Sequence, residues 1–214
     1  MRKNKILVIA LLGYCVIGLA GCVDTNIKNI NSKGTQIICF GDSITAGYGV
    51  KPQEKYPSVL SELLNMSVIN AGIEGDTSFG GLQRIKIDVL ERDPFLVIIE
   101  FGGNDFLYKI PMEETLENIR RMIDQIQAKG ALVALVDINA DIFLNEYEPR
   151  LEEIARGKGA IFIPKAFAGL IANPRLKLDF IHPNIYGYRI IAHRIYRGIL
   201  PYVNQNRILK KFAK

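Results

Sequence analysis

Gln36-Ile37-Ile38-Cys39-Phe40-Gly41-Asp42-Ser43-Ile44-Thr45 is the stretch that decides how this chain is read. Residues 36–40 form an apolar run bounded by polar and glycine signals, the pattern of a short buried strand. A strand ending in Gly-Asp-Ser and followed by a helical pattern leaves the Ser43 hydroxyl at the carboxyl edge of a sheet. That edge is where open α/β sheets bind ligands. A lone serine there also suits a helix cap or a turn, so the remaining strands must supply the argument for chemistry.

From Gln36 onward strands and helices alternate. Apolar, β-branched runs at 36–40, 67–70, 95–101, 131–136 and 160–163 suit strands buried on both faces. Helical patterns fall at 56–65, 78–91, 113–129, 146–157 and 186–203. In the third, Leu116, Ile119, Ile123 and Ile126 recur at helical spacing before Gly130 as a stop. Five β-α units predict an α/β fold of three layers, α/β/α, around a five-stranded parallel sheet. No internal repeat or second domain is visible.

In such a sheet every carboxyl end lies on one edge, so residues far apart in sequence converge. Ser43 follows the first strand, Asn70 to Thr77 the second, and Gly102-Gly103-Asn104-Asp105 the third; Asp179-Phe180-Ile181-His182-Pro183-Asn184 precedes the last helix. A serine nucleophile needs a base within hydrogen-bond reach. The chain has two histidines. His193 falls mid-helix, where a packing or helix-face role is expected. His182 lies in a loop, held extended by Pro183, three residues after Asp179, whose carboxylate can fix the ring's tautomer. An oxyanion needs preorganised donors; Gly75 offers an unobstructed backbone N–H and Asn104 a side-chain amide.

These blocks resemble those of the GDSL, or SGNH, hydrolases. Gly41-Asp42-Ser43, Gly75, Gly102 to Asp105 and Asp179-x-x-His182 stand in the family's order over 36–203. Gly41 to Tyr48, Asn70 to Thr77 and His182-Pro183-Asn184 are similar to the bacterial thioesterase, lysophospholipase and arylesterase branch. The resemblance implies a flavodoxin-like sheet and an esterase acting on acyl esters, thioesters or lysophospholipids through an acyl-Ser43 intermediate. It implies Ser43 as nucleophile, His182 as base and Asp179 as its orienting partner. It adds the Ser43 N–H to Gly75 and Asn104 in the oxyanion hole, and calls for no cofactor and no metal. Two departures stand out. Phe180 replaces the branch's usual glycine, and Asp137 to Leu144, after the fourth strand, differs from its usual loop.

Other readings are set aside on the residues. Thr45 stands where a Gly-x-Ser-x-Gly elbow needs its last glycine. Gly47-Tyr48-Gly49 lacks the Gly-Lys-Ser/Thr of a phosphate loop. Two histidines do not furnish the ligand sets of metallophosphoesterases. An acyltransferase or O-deacetylase acting on envelope carbohydrate shares the same first half-reaction and stays open, as does an acyl-ligand-binding lipoprotein without turnover.

The start of the chain has a separate meaning. Arg2, Lys3 and Lys5 precede an apolar stretch, 6–17, and then small residues, the plan of an export signal over 1–21. Leu19-Ala20-Gly21-Cys22 resembles a bacterial lipobox. That resemblance implies cleavage before Cys22, lipid on Cys22 and attachment to the cell envelope membrane. Cleavage leaves 193 of the 214 residues and lowers the net charge from +5 to about +2, which removes most of the case for a nucleic-acid partner. Residues 22–35, polar and weakly patterned, read as a tether reaching at most about 45 Å, and 204–214 as a solvated basic tail. Cys39 remains as a buried small apolar residue.

Overall fold

The computed structural model describes residues 26–140 and 144–212. Strands β1 (Gln36–Gly41), β2 (Val68–Gly72), β3 (Pro94–Glu100), β4 (Leu132–Val136) and β5 (Ile161–Ile163) form one parallel sheet in the order β2-β1-β3-β4-β5. This is the flavodoxin-like order. All residues of β3 and β4 are buried, which explains their unbroken apolar sequence. Pro94 takes the first place in β3, where a missing N–H costs no ladder bond in mid-strand.

Helices cover both faces. α2 (Tyr56–Leu64) packs on α7 (Ile185–Phe212) on one side; α3 (Ser78–Ile85), α5 (Met112–Ala128) and α6 (Tyr147–Lys158) line the other. Short helices α1 (Ser43–Ala46) and α4 (Gly103–Leu107) follow β1 and β3 directly. The stripe read from Leu116, Ile119, Ile123 and Ile126 is fully buried. α3 ends in a π-helical turn, Lys86–Leu90, closed by the Glu91 N–H on Lys86 O, so the single helix expected over 78–91 has two parts.

Two expected boundaries move. The tether of 22–35 is part of the fold from Asn26 onward: Ile27 and Ser32 are buried, and Lys28 N–H donates to Gly159 O at 2.9 Å. Asn29 Nδ2 donates to Gln127 O (2.8 Å) and Ala131 O (3.0 Å). Such side-chain amides meet carbonyls at a helix end and before a strand. The tail expected at 204–214 is likewise helical as far as Phe212. α7 runs through Pro201, and Asn206, 1 % exposed, donates to Ile30 O (2.8 Å) and Ser32 O (3.0 Å). Composition marked these segments as polar, but their polar groups are spent on each other's backbone. Cys22, the proposed signal 1–21 and residues 141–143 of the divergent loop lie outside the described residues. No described helix is long and apolar enough to cross a membrane.

Candidate active site

β1 connects to β2 on one side, and the chain then crosses to β3 on the other, so the crevice opens at the carboxyl ends of β1 and β3. Ser43 opens α1 there. Asp42 caps that helix, its Oδ1 accepting the Ile44 N–H at 3.0 Å, as N-cap aspartates do. Gly41 allows the close approach this turn needs, because an added Cβ would stand 2.5 Å from Glu100 O.

His182 reaches Ser43 from the far end of the sequence. Its Nε2 stands 3.1 Å from Ser43 Oγ, and its Nδ1 2.8 Å from Asp179 Oδ2. The other Asp179 oxygen accepts the backbone N–H groups of Ile181 (2.9 Å) and His182 (2.8 Å). Partial burial pushes the Asp179 carboxyl upward, but the hydrogen bonds from His182 and Ile181 outweigh it and hold the group below the usual carboxylate range. With Asp179 ionised, Nδ1 carries the ring proton and Nε2 is left as acceptor for the serine hydroxyl.

The loop bearing His182 is stapled on both sides. Leu178 N–H donates to His182 O at 2.8 Å, and Asn184 caps α7 by accepting the N–H groups of Tyr186 and Gly187. Tyr48 lies against the imidazole, with ring centroids 4.2 Å apart, and its carbonyl accepts the Tyr188 hydroxyl at 3.3 Å. His193 is exposed on α7.

Gly75 sits in the turn after β2 with φ +75°, a conformation that favours glycine. The N–H groups of Ser43 and Gly75 donate to no acceptor among the described residues. Asn104 is different. Its Nδ2 donates to Asp76 O at 2.9 Å and to Asp42 Oδ2 at 3.2 Å. Both amide hydrogens are therefore engaged, and a third acceptor would compete first with the longer bond, to Asp42.

Residues that sequence reading passed over hold these groups in place. Arg84 donates to Asp76 Oδ2 (2.7 Å), Ala71 O (2.8 Å) and Gly41 O (3.0 Å), tying the ends of β1 and β2 to the turn that carries Gly75. Asp105, fully buried, accepts from Ser78 N–H, Ser78 Oγ and Thr115 Oγ1, joining α3, α4 and α5. Glu100 ends β3 in the interior and accepts from Thr45 Oγ1 at 2.8 Å. Burial, and then the charge of Asp42, keeps Glu100 well above the usual carboxylate range. Asp42 beside it is itself raised to about 6, chiefly by burial. An acidic residue closing the apolar run 94–99 is the signal that would have found Glu100.

A narrow cavity of about 100 Å³ opens beside Ser43, His182 and Asn104. Ile138, Ala140 and Leu144 of the divergent loop line it, as do Phe167 and Leu170 after β5, and Phe180 in the family's glycine position. Of the apolar wall suggested by sequence, Phe106 and Leu107 line the cavity, whereas Tyr48, Phe79 and Tyr108 are exposed outside it. The described residues contain no cluster of three or more side chains suited to a metal ion.

A three-layer α/β/α sheet carrying a serine, histidine and aspartate in hydrogen-bonded sequence defines a serine-hydrolase type of site. The chain belongs to the GDSL-like lipase/acylhydrolase family, whose profile matches residues 39–190, and is an ester hydrolase. It is 33% identical over 197 residues to esterase TesA of Pseudomonas aeruginosa, covering 86% of this chain and 96% of that protein. It is 28% identical over 178 residues to thioesterase 1/protease 1/lysophospholipase L1 of Escherichia coli K12, covering 79% and 86% of the two chains. A crystal structure of TesA superposes with a TM-score of 0.72 at 27% identity, covering 78% of this chain and 99% of that one.

Proposed function

We propose that this protein hydrolyses acyl esters, thioesters or lysophospholipids with Ser43 as nucleophile, His182 as general base and Asp179 as its orienting anion. The observation that carries the reading is the continuous relay from Ser43 Oγ to Nε2 at 3.1 Å and from Nδ1 to Asp179 at 2.8 Å. In acylation the Ser43 oxygen bonds to the substrate carbonyl carbon while its proton passes to Nε2. The carbonyl oxygen takes the negative charge and is met by the N–H groups of Ser43 and Gly75 and by the Asn104 amide. His182 then gives its proton to the leaving oxygen or sulfur as that bond breaks. Water repeats the steps on the acyl-serine: His182 takes its proton, hydroxide adds to the carbonyl, and the proton returns to Ser43 as the acid leaves.

The names esterase and thioesterase/lysophospholipase carried by the relatives support this substrate range. The apolar lining of the cavity supports an acyl group there. The sequence of the first 22 residues supports export and attachment to a membrane of the cell envelope through lipid on Cys22. The test is turnover of p-nitrophenyl esters from acetyl to dodecanoyl by the protein and its Ser43→Ala variant. Turnover that disappears with the hydroxyl is expected; turnover that survives in Ser43→Ala rejects the nucleophile. Cys22→Ser is expected to abolish lipid labelling of the mature chain, and retained label rejects the anchor.

A further inference from the structure

α7 crosses the whole domain. It begins at Ile185, just past His182, and its last turns reach the opposite pole. There Asn206 donates to Ile30 O and Ser32 O, and Lys210 Nζ donates to Gly34 O at 3.0 Å. The N-terminal segment therefore enters the domain against the far end of this helix. From Ile185 to Phe212 the helix carries no acidic side chain. Its final stretch reads Arg207-Ile208-Leu209-Lys210-Lys211-Phe212, and all of these residues are exposed. At about 100° per residue, Ile208, Phe212 and Leu209 share one arc, turned away from the buried Val203 and Asn206, and Arg207 and Lys211 flank it. Phe212 is 85 % exposed, more than any other large apolar residue described. Arg207 and Lys210 spend their hydrogen bonds on neutral carbonyls, of Leu64 and Gly34. Of the acids before β3, Asp93 accepts from the Thr35 hydroxyl, and Glu91 lies 3.8 Å from Lys86.

We propose that 207–212 is a membrane-docking surface, which lays Ile208, Leu209 and Phe212 into the headgroup layer of an anionic bilayer and sets Arg207 and Lys211 against its phosphates. The choice of occupant rests on the envelope attachment through Cys22 read above. The chain outside the described residues, 1–25, joins the domain where this helix ends, so a membrane that holds Cys22 lies within reach of the exposed arc. Bare apolar side chains flanked by cations, with no acid on the helix, are the surface that binds in the plane of a bilayer interface. A second copy of the chain is a poorer occupant. Face to face, two such helices would bring their cations together with no carboxylate on either to answer them. Lipid on Cys22 holds the protein to the membrane; this contact fixes how it stands there.

The chain contains no tryptophan, so a single indole reports its own surroundings. The experiment places one at either end of α7, Phe212→Trp or Tyr186→Trp, in the full-length protein bound to vesicles containing brominated phosphatidylglycerol. Phe212→Trp is expected to shift its emission to the blue and to lose intensity to the bromines. Tyr186→Trp, about 40 Å away along the helix, is expected to keep its emission. Arg207→Gln combined with Lys211→Gln should lower the docked-to-free ratio about 25-fold, at about fivefold for each charge beside an anionic surface. Quenching at both positions alike, at Tyr186→Trp alone or at neither overturns the proposal, as does quenching undiminished by the loss of both charges. So does a blue shift that follows protein concentration in the absence of lipid, the mark of a second copy on this face. Failure of the anchor reading looks different: the mature protein would carry no lipid label, and the two indoles would still be compared by adding the same vesicles to it.

Discussion

The two edges of one sheet solve opposite problems. At the amino edge, loop carbonyls and amides are paired off: Asn29 covers Gln127 O and Ala131 O, Lys28 N–H covers Gly159 O, and Thr35 N–H covers Asp93 O. At the carboxyl edge, the Ser43 and Gly75 N–H groups are left without acceptors, and large apolar side chains such as Ile73, Phe106, Leu107 and Phe180 stand exposed. Unpaired donors and bare apolar surface cost stability. The Ser43 and Gly75 donors held open beside the crevice mark where this chain gives up stability for chemistry.

The sharpest test of that division removes the base. His182→Ala should lower ester kcat by at least about 10⁴-fold, while His193→Gln, on the exposed face of α7, leaves it within about twofold. Comparable losses in both, in folded protein, would break the assignment of function to the carboxyl edge. Next in size, Asn104→Ala should reduce kcat by about 10²–10³. Because Asn104 already bonds Asp42 and Asp76, an effect in KM alone would mean that its amide never turns to substrate.

The amino edge should respond in the other currency. Asn206→Ala removes the amide that bonds Ile30 O and Ser32 O and should destabilise by about 1–3 kcal/mol in urea unfolding, with kcat for acetyl esters unchanged. A fall in kcat at equal stability would show that the two edges are coupled. The smallest effect concerns pH. Glu100 has its folded pKa raised above 4.5, its value in the open chain, by burial and the Asp42 charge. The stability it contributes is full below about pH 4.5 and falls as pH rises toward the folded value. Glu100→Gln lacks this slope, so its urea midpoint should gain on that of the wild type as pH rises above about 4.5. A difference constant with pH would show that the Glu100 carboxyl is not shifted by folding.

The carboxyl edge was the more legible of the two. Ser43 follows β1, Asp179 and His182 lie in the loop before α7, and a parallel sheet brings such loops to one edge, so order along the chain sufficed to bring them together. Asn104 was found as a donor, but its engagement with Asp42 was not, because that bond joins residues 62 positions apart. Glu100 went unnoticed as the last letter of a buried strand, although an acid in that position is costly unless it keeps its proton. The amino edge was misread. Asn29 and Asn206 look like solvent residues in any local window, and only the packing of α7 against 30–32 makes them structural.

Asn26 O lies within 2.7 Å of where a Cβ on Gly159 would be, so the described chain enters the domain at the pole opposite Ser43. Three residues, Val23 to Thr25, separate Cys22 from that point, a span of at most about 14 Å. An enzyme fastened at Cys22 would therefore stand with its mouth turned outward, like a lamp on a short bracket. Its catalytic edge would then face the aqueous side, with the amino edge of the sheet toward the membrane.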